Sequence, residues 1–332
     1  MKKPILVVSN DWHIDEKTLE VIPGLISQKI ALANKLGVKN LVCAGDIFQS
    51  RKAQKESVLN CFKAILDEIH ANKMMIYVIP GNHDKTDYSS YSSFLDPFSS
   101  HPALKLITET TKISFSFVEC YFVPFFEEGL WLEEFNKVNE PYNILFSHIA
   151  VSGSVNNNRT KVDSTITPKI FKGKRVLLGH YHNYQDVTPN IHHLPSLQQN
   201  NFGEDTNKGF TVVYDDCSFD IVNSDFKKYV TYSIDIRDLE FKQKMNQYLD
   251  ETKDSYIKVK ITGPRSEIKG VDLDFYKASG IKIDTIFDEL IVQGTEVIDL
   301  SDANTVLEHF SLFCQERDID EITGLNYLNR VL

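Results

Sequence analysis

Between residues 4 and 82 short apolar runs alternate with longer segments of helical period, and this alternation restricts the fold more than any other feature of the chain. The runs are "ILVVSN", "NLVCAGD" and "MMIYVIPGN", and Thr18 to Leu36 and Ala53 to Ala71 lie between them. Runs too continuous to leave a wet face, each followed by a segment able to cross back as a helix, read as βαβαβ with a buried parallel sheet. After Ser99 the pattern changes. "KISFSFV", "CYFVPFF", "YNILFSHIA", "KRVLLGHYH", "GFTVVYDD" and "FDIVN" follow with little helix between them. They imply a second sheet packed on the first, so the expected class is α/β with two packed mixed sheets flanked by helices.

Near Asp225 to Tyr229 the chain becomes more charged, and a strand, helix, strand pattern begins with "YVTYSIDI", Leu239 to Leu249 and "SYIKVKITG". The expected division is 1–226 as the main domain, 227–300 as a small α+β domain and 301–332 as C-terminal helices, broken at Arg317 to Asp320. In that last segment Val306, Phe310, Phe313, Ile319, Ile322, Leu325 and Leu328 recur at helical spacing. Packing on their own domain and docking on a partner both account for them. The polar stretch "VSGSVNNNRTK" reads as a loop.

A hydrophobic content of 42% over 332 residues supports a large core. No apolar stretch is long enough to span a bilayer, and "MKKPILVVSNDWH" runs into charged residues without a signal-peptide pattern, so a soluble, cytoplasmic protein without a membrane partner is expected. Five cysteines without CxxC spacing fit reduced thiols. The net charge of -10 opposes a nucleic-acid partner unless positive charge is concentrated locally, because phosphate binding is driven by cations.

"SNDWH", "AGDIF", "PGNHD", "FSHIA" and "LGHYHN" place polar side chains where apolar runs end. Ligands in open α/β sheets collect beyond the carboxyl ends of strands, so these stretches can converge although they are distant in sequence. Singly, each has an ordinary explanation. Asp11 and His13 suit a turn, Asp46 a helix cap or loop, and His148 a hydrogen-bonded core position. His180 and His182 read as strand alternation, pointing the same way. "PGNHD" is the hardest to dismiss, since a turn uses the Gly and tolerates the Asn but has no need of His83 or Asp84.

In order, the set resembles the calcineurin-like metallophosphoesterase superfamily, whose signature runs DxH, GD, GNH(D or E), H, GHxH. The resemblance implies two metal ions, one held by Asp11, His13, Asp46 and His182, the other by Asp46, Asn82, His148 and His180, with Asp46 bridging. Carboxylate, amide and imidazole ligands without thiolate suit Mn²⁺ or iron better than a structural zinc, and Mn²⁺ is expected. In that pattern His83 faces the scissile phosphate as a catalytic residue, and Asp84 is expected to orient it. Gln49, Arg51 and Lys52 are expected substrate contacts. Arg159, Lys161, Lys172, Lys174 and Arg175 are further candidates, with ordinary solvated charge as the plain alternative. Two cations at the site would also offset the acidic balance of the chain.

"GDIFQSRKA", "PGNHD", "GHYHN" and "LPSLQQNNFGEDTNKGFTVV" are similar to the SbcD branch of the superfamily, the nuclease subunit of double-strand-break processing complexes, which includes the recombination nuclease of T-even phages. The segment after Asp225 resembles the small capping domain that grips DNA there. The resemblance implies a Mn²⁺-dependent exonuclease or endonuclease acting on DNA, partnered with an SMC-like ATPase of the SbcC type and forming a homodimer. Some members carry His three residues after the second-motif Asp, where this chain has Gln49, so the balance of exonuclease and endonuclease action stays open. "GDIFQSR" and "GNHD" differ from the GDxxDRG and GNHE of protein phosphatases. Two other readings remain: a phosphodiesterase or phosphatase for cyclic nucleotides or other small esters, and a DNA-end tether with a vestigial metal site, which the full ligand set disfavours.

Overall fold

The computed structural model describes residues 2–139, 141–156 and 159–287, with Leu307, Phe310, Ser311, Cys314 and Leu325 as isolated positions beyond them. The chain opens with β1 (Pro4–Ser9), α1 (Val21–Leu36), β2 (Asn40–Cys43), α2 (Glu56–Ala71), β3 (Met75–Val78) and β4 (Leu104–Leu106). There follow β5 (Thr111–Phe115), β6 (Val118–Val123), α3 (Glu128–Phe135), β7 (Ile144–His148), β8 (Arg175–Gly179), β9 (Gln185–Thr188), β10 (Ile191–His193), β11 (Gly209–Tyr214) and β12 (Phe219–Asn223). The last described elements are β13 (Lys228–Asp235), α4 (Phe241–Glu251), β14 (Ser255–Gly263), α5 (Arg265–Lys269), α6 (Leu273–Ala278) and β15 (Lys282–Phe287).

The first sheet has the order β12-β11-β1-β2-β3-β4, and the second β5-β6-β7-β8-β10-β9. β1 to β4 are mutually parallel, as are β6, β7, β8 and β10, while β11, β12, β5 and β9 add antiparallel pairs. Strand alternation then assigns each side chain to a layer. Val7 packs with Ile26 and Phe62 from α1 and α2. Its neighbours Leu6 and Val8 turn the other way, onto Phe122, Phe146 and Leu177 of the second sheet. On the far face of that sheet Leu145, Val176 and Leu178 meet Trp131 and Phe135 of α3. The result is helix, sheet, sheet, helix, the expected α/β class. Each fully buried Leu, Val or Phe contributes roughly 1.5–3 kcal/mol to holding the layers together.

Three boundaries differ from the sequence reading, each for a local reason. α1 starts at Val21, not Thr18, because the Asp15 carboxylate accepts from the Lys17 and Thr18 amides and holds a turn there. α2 starts at Glu56, not Ala53, because Ser50 Oγ accepts from the Lys52 and Ala53 amides. "KISFSFV" is not one strand. It turns at Ser116, where φ is 57°, and leaves Phe117 75% exposed, so Phe115 ends the first arm of a hairpin and Phe117 sits at its tip.

Contacts divide the chain into two compact units, Met1–Thr231 with Glu251–Lys258, and Tyr232–Asp250 with Val259–Leu332. The expected boundary at 226/227 lies inside the first unit. In the second unit Met245 and Tyr248 of α4 and Val259 and Ile261 of β14 are buried, and Tyr232 stacks on Tyr248 with ring centroids 4.0 Å apart. The expected helices of 301–332 lie outside the described residues, apart from the isolated positions named above. Among the described residues no helix is long and apolar enough to cross a membrane.

Candidate metal centre

Each of the five polar stretches falls at the carboxyl end of a parallel strand. Asp11 and His13 follow β1, Asp46 follows β2, Asn82 and His83 follow β3, His148 ends β7, and His180 and His182 follow β8. The first two loops are zipped by their backbones. The Asp11 amide donates to the Gly45 carbonyl at 3.0 Å, and the Trp12 and His13 amides to the Asp46 carbonyl at 2.8 and 3.1 Å. Asp11, His13, Asp46 and His180 have φ of 51°, 50°, 54° and 92°. Non-glycine residues there cost of order 1–3 kcal/mol each, which the interlocked loops must sustain. Gly45 (φ 96°) has no alternative, since a Cβ would come within 2.2 Å of His148 Nδ1.

The side chains gather in three overlapping groups, Asp11 with His13 and His182, His13 with Asp46 and His83, and Asp11 with Asp46 and His148. Within each, the candidate ligand atoms lie within 4.8 Å of one another. His13 Nε2 and His182 Nε2 are 3.0 Å apart on one side of Asp46. On the other, His148 Nε2 is 3.3 Å from Asp46 Oδ2 and 3.1 Å from Asn82 Oδ1, and His180 Nδ1 is 2.9 Å from the same amide oxygen. The structure thus brings all seven expected ligands together. His180 and His182 do so from a loop rather than by strand alternation, because β8 ends at Gly179, and they meet different partners, Asn82 and His13.

Protonation follows from burial and from Asp46. Burial alone would raise the Asp46 carboxyl, but the His148 imidazole beside it holds it below the usual carboxylate range. Burial disfavours charge on His148, yet the Asp46 carboxylate outweighs it and pushes that imidazole up to about 9. Burial draws His13 down to about 3 and, with the charge of His148, takes His180 well below the usual histidine range. Neutral imidazoles around an ionised carboxylate are what a divalent cation requires, and such an ion would take over the charge balance that the His148 proton provides. The buried His13 Nδ1 and Asn10 Oδ1 have no hydrogen-bond partner, and no thiolate enters the cluster. Donors of this type fit Mn²⁺ or a similar hard or borderline ion.

His83 faces the same space but is held differently. Its Nδ1 donates to the Gln49 carbonyl at 2.6 Å, its Nε2 accepts from Arg51 Nη2 at 2.7 Å, and its backbone amide donates to Asp46 Oδ1 at 2.8 Å. The Gln49 carbonyl, which can only accept, fixes the tautomer. Asp84, expected to orient His83, is instead committed to the backbone. It accepts from the amides of Gly81 at 2.8 Å, Phe48 at 3.0 Å and Ile47 at 3.3 Å, and so holds the loop rather than the ring.

A cavity of about 420 Å³ opens beside the cluster, lined by His83, Gln49, Arg51, Asn156, Tyr181, Asn200 and Asn201 among others. Lys52 is exposed and does not line it. Arg159 and Lys161 are exposed on the polar loop. Lys172, Lys174 and Arg175 border a separate cavity of about 710 Å³ at the amino end of β8. Five strand residues separate that end from the cluster, roughly 16–17 Å at ~3.3 Å per residue. Those three cations, expected around the polar loop as candidate contacts, therefore lie away from the cluster. Sequence reasoning also passed over Glu204, whose Oε1 lies 2.8 Å from His182 Nδ1; a loop carboxylate 22 residues from its partner leaves no periodic signal.

A two-sheet α/β sandwich with a buried Asp, His and Asn cluster at its strand ends defines a metal-dependent phosphoesterase. The sequence model of the Calcineurin-like phosphoesterase family matches residues 4–184, more than half of the 332, and the chain belongs to that family. No curated protein matches the chain by sequence. Similar solved structures include the nuclease MPE of Pseudomonas putida, 16% identical over 58% of this chain and 75% of that one, with a TM-score of 0.32. A dimetal phosphatase from Danio rerio is 10% identical over 64% of this chain and 93% of that one, with a TM-score of 0.40.

Proposed function

We propose that the chain is a Mn²⁺-dependent DNA nuclease of the SbcD type, hydrolysing phosphodiester bonds at a two-cation site as the catalytic partner of an SMC-like ATPase. The observation that carries the hydrolytic part is the position of Asp46 between two sets of donors, with His83 and Arg51 facing the cavity beside them. Asp11, His13, Asp46 and His182 would hold one ion, and Asp46, Asn82, His148 and His180 the other. When bound, the ions supply Lewis-acid charge for the phosphate oxygens and a more acidic water. Arg51 is placed to meet a phosphate oxygen, and in doing so releases His83 Nε2. The freed nitrogen carries a lone pair; once it has taken up a proton from solvent it passes that proton to the leaving oxygen, while the Gln49 carbonyl keeps the ring oriented.

The DNA assignment rests on the resemblance of "GDIFQSRKA" and "LPSLQQNNFGEDTNKGFTVV" to the SbcD branch and on the polar groups of Asn156, Asn200 and Asn201 around the cavity. One observation favours a small phosphoester instead. A cavity of about 420 Å³ with a single arginine at its edge is of a size to hold one small ligand, and Lys172, Lys174 and Arg175 lie elsewhere. With Mn²⁺ present, hydrolysis of a DNA duplex should exceed that of a cyclic nucleotide. Turnover of the cyclic nucleotide without cleavage of DNA would overturn the nuclease reading. Docking of the ATPase on residues 301–332 is tested by ending the chain at Leu300; unchanged binding refutes it.

A further inference from the structure

The family match ends at residue 184, yet the side chain that most constrains His182 comes from beyond it. Glu204 lies in the loop before β11, its side chain 1% exposed. Its Oε1 is 2.8 Å from His182 Nδ1 and accepts from Asn201 Nδ2 at 2.9 Å, and its Oε2 accepts from the Asn200 amide at 3.1 Å. Lys208, fully buried, pairs with the same Oε2 at 3.0 Å and donates to the His182 carbonyl at 2.6 Å. The loop is itself pinned. Gln199 Nε2 donates to the Glu204 carbonyl at 2.9 Å, while Gln199 Oε1 accepts from the Tyr229 amide at 2.9 Å.

We infer that Glu204 is a positioning residue of the metal centre, which fixes His182 as its Nδ1–H tautomer and aims the Nε2 lone pair at the ion shared with His13. Asn200 Nδ2 lies 3.1 Å from the same Nδ1 and could only donate to it, which would demand the opposite tautomer. Glu204 decides the matter, because a carboxylate beside a buried ammonium accepts and does not donate. The Nε2 lone pair then points toward His13 Nε2, 3.0 Å away. A carboxylate behind a ligating imidazole sets ring orientation and basicity, and its loss costs 10–100-fold in metal affinity, an order of magnitude or more. Lys208 holds both the carboxylate and the backbone of the residue it orients, so the pair acts as one brace.

The inference rests on the metal-site reading proposed above, and the test separates the two. Titrating the metal-free full chain with Mn²⁺ by calorimetry should show two ions for the wild type. Glu204→Leu combined with Lys208→Met, which leaves no unpaired buried charge, should weaken one of the two by about 10–100-fold. Glu204→Gln, which keeps an acceptor for Nδ1–H, should lose less than the double variant. Two-bond ¹H–¹⁵N spectra of the metal-free proteins supply a readout that involves no metal: His182 carries its proton on Nδ1 in the wild type and Glu204→Gln, and no longer does so predominantly in the double variant. A folded double variant that binds both ions with wild-type affinity, or that keeps the Nδ1–H tautomer, overturns the role of Glu204. A wild type that binds no Mn²⁺ but shows the tautomer difference overturns the metal reading while leaving the geometric brace in place.

Discussion

Replacing Gly81 by Ala sets two opposed effects against each other, and the structure decides between them. The backbone at Gly81, φ −94° and ψ −174°, is open to any residue. On that ground alone Gly81→Ala would stabilise the fold by about 0.4–1 kcal/mol, through the reduced freedom of the unfolded chain. The new Cβ, however, would lie 2.2 Å from Asp46 Oδ1 and 2.4 Å from the Asp46 amide nitrogen. Ordinary contact begins near 3.4 Å, so relief requires about 1 Å of movement. Rotation of the carboxylate removes only the first clash. The backbone itself must shift, and the Asp46 carbonyl carries the Trp12 and His13 amides with it. Overpacking of this kind costs roughly 1–3 kcal/mol, more than the entropic gain, and a 1 Å displacement of a reacting constellation costs on the order of 100-fold in rate. The variant should hydrolyse bis(p-nitrophenyl) phosphate with Mn²⁺ about 100-fold more slowly and melt below the wild type. Activity within threefold of wild type together with a raised melting temperature would refute the reasoning. Gly24→Ala is the control: Gly24 is an exposed helical position of α1 with nothing within 4 Å of a Cβ, so stability should rise by about 0.5–1 kcal/mol with activity unchanged.

His83→Gln should lower kcat by about 10²–10⁴-fold while calorimetry still shows wild-type Mn²⁺ binding; loss of the metal would place His83 among the ligands instead. Mn²⁺ at 100 times its Kd should add about 2.7 kcal/mol to stability, reversed by a chelator, and a melting curve indifferent to Mn²⁺ would argue against the site. Lys29, whose Nζ donates to Ser9 Oγ and the Val42 carbonyl at 2.8 Å each, is pushed down to about 7 by burial. From about pH 7 upward the unfolded chain holds that proton and the folded chain does not, so the Lys29 contribution to stability should rise with pH until the ordinary lysine range. Lys29→Met should make the slope of the urea midpoint between about pH 7 and 9 less positive, leaving the upward part due to Lys85, drawn down to about 8 by burial, and the downward part due to His148, held up to about 9 beside Asp46; an unchanged slope would show that Lys29 stays charged.

The cluster was legible because each strand is a run of apolar residues that stops at a polar one, and parallel strands bring their carboxyl ends to one edge. "ILVVSN", "NLVCAGD" and "NILFSH" announce both the sheet and the place where it meets the site. What orients the cluster was not legible, for two different reasons. The group that fixes His83 is a backbone carbonyl, which Gln49 supplies but any residue could, so residue identity carries no trace of it. Glu204 reaches His182 across a loop, where contact depends on how the chain returns and not on spacing. Lys172, Lys174 and Arg175 failed in the opposite way, since a strand carries neighbours in sequence to opposite ends of a sheet.

Asp46 explains why these pieces behave as one. Its Oδ2 lies 3.3 Å from His148 Nε2 and 3.8 Å from His13 Nε2, between the two groups of donors. Its Oδ1 accepts the amide of His83, the residue assigned to the leaving oxygen, and its own carbonyl accepts the amides of Trp12 and His13. A single left-handed residue thus ties the loop after β1, with Asp11 and His13, to the loop after β3, with Asn82 and His83. Displacing it changes the donor geometry and the aim of His83 together, so variants at Gly45, Gly81 and Asp46 should lose metal binding and turnover in step. Variants at His83 or Arg51, which touch only the far side of that tie, should separate the two. Coupled loss in the first set and uncoupled loss in the second is a pattern that independent contributions from each motif would not produce.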